Sequence, residues 1–202
     1  MKNKLFFTAG IVVGCAVVGG LVMSMRAGDR ASDPDAPQYN AAGEMLRPQN
    51  YREWVYLTSG LGMTYGPIQS AARDMEPMFD NVFVSRAAYK SFMGSGRWPD
   101  KTVLILEVRS SESKGSINKG GHYQSDAMAM EAHVKDEARF PGKWAFFPFH
   151  KSNATAKAIP TTANCYSCHQ DHGAVDTTFV QFYPTLAGIA RDKGTYKSSE
   201  TH

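Results

Sequence analysis

Hydrophobic and polar positions fall into a few clear runs along this chain. The strongest is TVLILEV, Thr102 to Val108, a β-rich stretch with a period of two. On a strand, Thr102, Leu104 and Leu106 share one face, and Val103, Ile105 and Glu107 share the other. A shorter β-rich run, NVFVS, covers Asn81 to Ser85. It leads into Arg86 to Phe92, whose pattern predicts a helix with Ser85 as N-cap and Gly94 and Gly96 as stops. Pro99-Asp100-Lys101 predicts a turn, and Ser110 to Gly121 a polar loop. Met128 to Val134 fits strand or helix, and the flanking Gly121 and Tyr123 favour a strand. Trp144 to Phe149 reads as a strand that Pro148 puts at an edge or near its end. Phe179 to Ile189 reads as a helix, aromatic on one side. The prediction is an α+β domain, a mainly antiparallel sheet with flanking helices.

The N-terminus has a different texture. After the basic start Met1-Lys2-Asn3-Lys4, residues 5–23 are apolar and uncharged. Two readings stand: a secretory signal peptide, or an uncleaved anchor, since about 20 apolar residues span a bilayer. The run is long for a signal core and no small-x-small cleavage site follows it, which favours the anchor. Either way Lys2 and Lys4 face the cytoplasm and the remainder is exported. A periplasmic location follows, soluble or tethered to the inner membrane. Cys15 lies inside the apolar run and reads as one of its small residues. Residues 1–25 are thus a leader, 26–45 a linker, 46–192 the folded domain and 193–202 a flexible tail. The domain's composition is that of a globular protein, and a net charge of +3 is too small to point to nucleic acid.

The candidate chemistry sits near the C-terminus. Beyond Cys15, the chain has two cysteines, in Cys165-Tyr166-Ser167-Cys168-His169. A structural zinc would need two further ligands of the right kind, and a redox dithiol has no need of a histidine directly after it. Pro160-Thr161-Thr162 predicts a helix start with a threonine cap. Positions 165, 168 and 169 then lie on one helical face. Two thiols there can form thioethers with haem vinyl groups while His169 reaches the iron, so the motif predicts one covalently attached haem c. The other side of the iron decides the function. Met or His there makes an electron carrier, and an open position makes a gas binder or an enzyme. Met45, Met63, Met75, Met78, Met93, Met128 and Met130 are the methionine candidates. His172 reads as facing a propionate or solvent, His150 as surface and Asp80 as a turn or edge residue. Arg52 and Glu53 read as an exposed pair, and His122 and His133 carry no motif.

Several stretches, in order, resemble the cytochrome P-460 family, which includes the β-type cytochromes c prime. They are NYREWVYL (50–57), FDNVFVSRAAYKSF (79–92), WPDKTVLILEV (98–108), MEAHVKDEARFPGKWAFFPF (130–149), CYSCH (165–169) and FVQFYPTL (179–186). The resemblance implies a mainly β fold, often homodimeric, and a five-coordinate haem with His169 proximal. Members that oxidise hydroxylamine carry a lysine bonded to the haem edge, four residues after the Thr of the turn, and a distal carboxylate just before the first haem cysteine. This chain has Leu106 and Asn164 at those places. Neither can do the corresponding chemistry, since leucine has no amine and an amide is no general base. Leu106, Asn164, Phe79 and Phe83 become the distal-pocket candidates, and the expected cap is largely apolar. The resulting expectation is an exported mono-haem cytochrome that binds a small gas such as nitric oxide. The alternatives are a haem oxidoreductase acting on hydroxylamine or nitric oxide, and an electron carrier with a Met or His sixth ligand. A partner cytochrome is expected wherever electrons must leave.

Overall fold

The run TVLILEV forms the middle of the fold. A computed structural model describes residues 33–64, 76–150 and 152–197. Its main sheet contains β2 (Val55–Leu61), β3 (Phe79–Val84), β4 (Val103–Glu112), β5 (Tyr123–Lys135) and β6 (Trp144–Phe149). They lie in chain order and every neighbouring pair is antiparallel. A small second sheet pairs β1 (Met45–Leu46) with β7 (Thr155–Ala156). The helices are α1 (Arg86–Ser95), α2 (Asn164–His172) and α3 (Pro184–Asp192).

Strand alternation divides the interior in two. Leu57, Val84, Leu104 and Trp144 face one way and pack under Ala88 and Phe92 of α1 and Leu186, Ala187 and Ala190 of α3. Val103, Ile105, Ala132, Val134, Phe147 and Phe149 face the other way, against Met45, Tyr51, Trp54 and Ala156. The first face meets helices and the second meets the N-terminal segment and the small sheet.

Most elements stand where the pattern puts them. Met128 to Val134 belongs to a strand, and β6 is an edge strand, the position Pro148 tolerates. Helix α1 begins after Ser85, but the Ser85 hydroxyl is buried and makes no hydrogen bond. The helix runs past Gly94 and stops at Gly96, whose φ of 69° closes it through an N–H···O bond to Phe92. The expected helix over 179–189 is split. Val180–Phe182 forms a short 3-10 turn, and α3 starts at Pro184, where the missing N–H does no harm. Strand β2 was not anticipated, because a register irregularity between Tyr56 and Thr58 interrupts its alternation.

Two boundaries need correction. Residues 33–45 are not a linker: Asp35 is buried and forms an ion pair with Arg86 at 2.8 Å, and Met45 is fully buried. The C-terminal tail is also part of the fold as far as residue 197. Thr195 Oγ1 donates to the Gly96 carbonyl at 2.6 Å, and the Lys197 N–H donates to Ala174 at 2.7 Å. The apolar residues 5–23 lie outside the described residues, among which no helix is long and apolar enough to cross a membrane.

Candidate cofactor site

Helix α2 carries the Cys-x-x-Cys-His stretch. Its N-cap is Ala163, not a threonine, because Pro160 to Ala163 close a turn first. Cys165, Cys168 and His169 keep the spacing that puts them on one side. Both thiols are free, Cys165 exposed and Cys168 partly so. No residue of α2 is fully buried by protein; Tyr166, Cys168 and His169 are half-buried and the rest of the helix is exposed. A helix inside a folded domain normally buries a full stripe, so this one, with its stripe only half covered, leaves surface beside Cys165 and Cys168 for a bound group to cover. Phe182, 46% exposed, lies near that region through its contact with Phe179, whose ring is 4.3 Å from that of His169.

The loop after α2 fixes the imidazole. Gly173 ends the helix, and a Cβ there would come within 2.6 Å of the His169 carbonyl oxygen and 2.9 Å of the Thr177–Thr178 backbone. Only glycine lets the chain turn back this tightly. The return brings the Thr177 carbonyl to 2.7 Å from His169 Nδ1. A carbonyl only accepts, so Nδ1 carries the proton and Nε2 keeps its lone pair for a metal. Burial pushes the His169 pKa below the usual imidazole range, with the Thr177 bond opposing it, and the ring is neutral. Phe146 and His133 complete its walls at 4.6 and 4.9 Å. Two free thiols and one oriented neutral imidazole are the donors a c-type haem requires. Among the described residues, no three His, Cys, Asp or Glu side chains converge as a zinc ion would need.

The sheet face beside α2 begins with His133 and Phe146, which touch His169, and Leu104 lies in the same cross-strand row. In the next row Leu106 is half-buried between Val82 on β3 and Glu131 on β5. Asp80 follows, opposite Val108. Two carboxylates therefore flank Leu106. Burial, with the nearby charge of Glu131, pushes Asp80 up to about 6. Desolvation by the surrounding sheet also raises Glu131, although its outer end is exposed, against the opposing charge of His150.

Several expectations change here. Phe83 lies opposite Ile105 and packs against Tyr51 and Tyr56, 5.6 and 5.7 Å away, on the face turned from α2. Phe79, opposite Arg109, shares that face by strand parity. Neither belongs to the candidate pocket. Leu106 does stand on the α2 side. Asn164 opens α2 and is exposed, its carbonyl accepting from Ser167 Oγ at 3.0 Å. The expected apolar cap is corrected too, since Asp80 and Glu131 lie on the same face as Leu106. Arg52 pairs with the buried Glu107 on the far face, not with Glu53. His133, Thr177, Gly173 and Glu131 carried no motif. One signal was available: Met130 to Lys135 alternates apolar and ionisable residues, which puts Glu131, His133 and Lys135 on one face.

The cytochrome P460 family model matches residues 48–180, more than half of the chain. No curated protein matches the chain.

Proposed function

The chain belongs to the cytochrome P460 family, and from that premise we propose that it carries one haem c and binds a small uncharged ligand such as nitric oxide at an open iron position. Cys165 and Cys168 supply the thioether links, and His169 Nε2 holds the iron. The observation that carries the reading is the Nδ1–H···O=C bond from His169 to Thr177, on a helix with two free thiols and no fully buried residue. The haem, when bound, supplies an iron that takes a ligand or passes an electron. The chain's own part is to set the imidazole tautomer through Thr177 and to wall the ring with Phe146, His133 and Phe179. Leu106 and Val82 add apolar surface. Five of the methionine candidates support an open position: Met45 and Met130 are buried in the core on the other sheet face, and Met78, Met93 and Met128 are exposed. Met63 is half-buried near Gly60 and Asp80, and Met75 lies outside the described residues. Export rests on the apolar residues 5–23. The test is the optical spectrum of the ferrous protein, expected to be high-spin and five-coordinate. A low-spin, six-coordinate spectrum without added ligand overturns the reading in favour of an electron carrier.

A second reading, oxidation of hydroxylamine, gains support from Asp80 and Glu131. That chemistry removes protons from nitrogen. A carboxylate titrating near 6 is ionised at neutral pH and accepts a proton readily. Steady-state assays with hydroxylamine and an electron acceptor decide it, and turnover no greater than that of free haem removes it.

A further inference from the structure

Behind His169, β5 grips the loop that holds the imidazole. Three consecutive loop residues are each tied to a different side chain. Lys135 Nζ lies 3.5 Å from Asp176 Oδ2 and donates to the Trp98 carbonyl at 2.8 Å. Thr177 Oγ1 is 3.1 Å from His133 Nε2. Thr178 Oγ1 accepts from the Trp98 indole at 2.8 Å and donates to Val175 O at 2.7 Å. Thr177 is where two bonds meet, because its carbonyl takes the His169 proton and its hydroxyl is tied to His133.

His133 is an expensive residue to place here. It is buried and stacked on Phe146 with ring centroids 4.1 Å apart and planes 13° from parallel, and Trp144 lies at 4.5 Å. An apolar residue would pack as well but would leave the Thr177 hydroxyl without this partner. A polar group buried this deeply, with Nε2 bonded to the loop, fixes one local arrangement. Here the arrangement fixed is the carbonyl that receives the His169 proton. The strength of that bond sets how much electron density the imidazole gives a metal.

We propose that His133, acting through Thr177, is a positioning residue for His169 that holds the iron's proximal donor strong and the haem's reduction potential low. This rests on the reading of His169 as the iron ligand. The test uses the haem-loaded protein and compares the wild type with His133→Phe, Thr177→Val and Thr177→Ser. Two readouts are taken, the iron–imidazole stretching band of the ferrous state by resonance Raman and the midpoint potential. In His133→Phe and Thr177→Val the band moves to lower frequency and the potential becomes more positive. Thr177→Ser, which keeps the hydroxyl, stays at the wild-type values, and the double variant goes no further than either single one. Thr177→Val is nearly isosteric and carries the test alone if His133→Phe does not fold. A wild-type band and potential in Thr177→Val overturns the proposal while leaving His169 as ligand. A wild-type ferrous protein with no iron–imidazole band overturns both.

Discussion

Two acidic sites sit on opposite faces of the same sheet, and they are built in opposite ways. Glu107 on β4 is buried and saturated. Tyr51 Oη and Arg52 donate to one oxygen, and Arg109 Nη1 and Asn81 Nδ2 reach the other at 3.2 and 3.5 Å. Burial pushes its pKa up, but these hydrogen bonds and the two arginine charges outweigh it and hold the carboxyl below the usual range. Asp80, half-buried, and Glu131, exposed at its outer end, face the α2 side, where no described side chain donates a hydrogen bond to either, and partial desolvation by the surrounding protein leaves both raised. The two sites therefore differ in burial and, above all, in hydrogen bonding. The saturated one holds the far side of the fold together, and the unsatisfied pair can take up protons beside the candidate haem site.

The largest effect expected from this contrast is on stability. Glu107→Ala removes the centre of the far-face network and should destabilise the domain by about 3 kcal/mol, toward the lower end for a broken buried pair. It stays at that end because Arg52 is 57% and Arg109 25% exposed, so both can be solvated. Asp80→Asn should leave stability at pH 7 unchanged or raised, since it removes a half-buried charge to which no described side chain donates. Glu131→Gln should change it by less than about 0.5 kcal/mol, since Glu131 is exposed. Denaturant unfolding of the three variants is the check, and equal losses on both faces would end the distinction. A smaller change, Tyr51→Phe, removes one donor to Glu107 and should cost roughly 1–2 kcal/mol by the same measurement.

The two sites should also respond to pH with opposite signs. Glu107 titrates lower in the folded state than unfolded, so its contribution is present above the ordinary value of 4.5 and fades as pH falls through its folded value. Asp80 titrates higher when folded. Its contribution is complete below 3.8 and is lost as pH rises to about 6. Unfolding free energies measured between about pH 3 and pH 7 should show Asp80→Asn flattening the decline across that upper window. Glu107→Gln should flatten only the acid side. A wild-type slope retained in Asp80→Asn above pH 4 would show that Asp80 is not the group responsible.

Sequence periodicity made the scaffold of this contrast legible, but not its register. The alternation in TVLILEV correctly separates Leu106 from Glu107, and WAFFPF and the helix after Ser85 are equally plain. Cys165, Cys168 and His169 announce themselves by spacing. Which residues of FDNVFV face Leu106 depends on how β3 pairs with β4, and pairing is a long-range property that local pattern does not encode. With Val82 opposite Leu106, Asp80 joins the α2 side, and Phe79 and Phe83 turn away. The aromatic residues looked like the natural pocket wall because apolar type was weighed without the register. The ordered segment around Asp35 escaped for a similar reason: its partner, Arg86, lies 51 residues along the chain.

The smallest expected effect bears most directly on where a proton acceptor lies. Asn164 is exposed at the first turn of α2. Asn164→Glu should change stability by less than about 0.5 kcal/mol, since it is a surface substitution and the helix N-terminus tolerates negative charge. The same substitution restores a carboxylate at the place where the family resemblance puts one in hydroxylamine oxidisers. If the sheet pair already serves as the acceptor, hydroxylamine turnover should be unaffected by Asn164→Glu and should fall in the double variant Asp80→Asn/Glu131→Gln. A rise in turnover with Asn164→Glu, together with no change in the double variant, would move the acceptor from the sheet to the helix. It would leave Asp80 and Glu131 as charges with no catalytic part, and the contrast between the two faces would then concern stability alone.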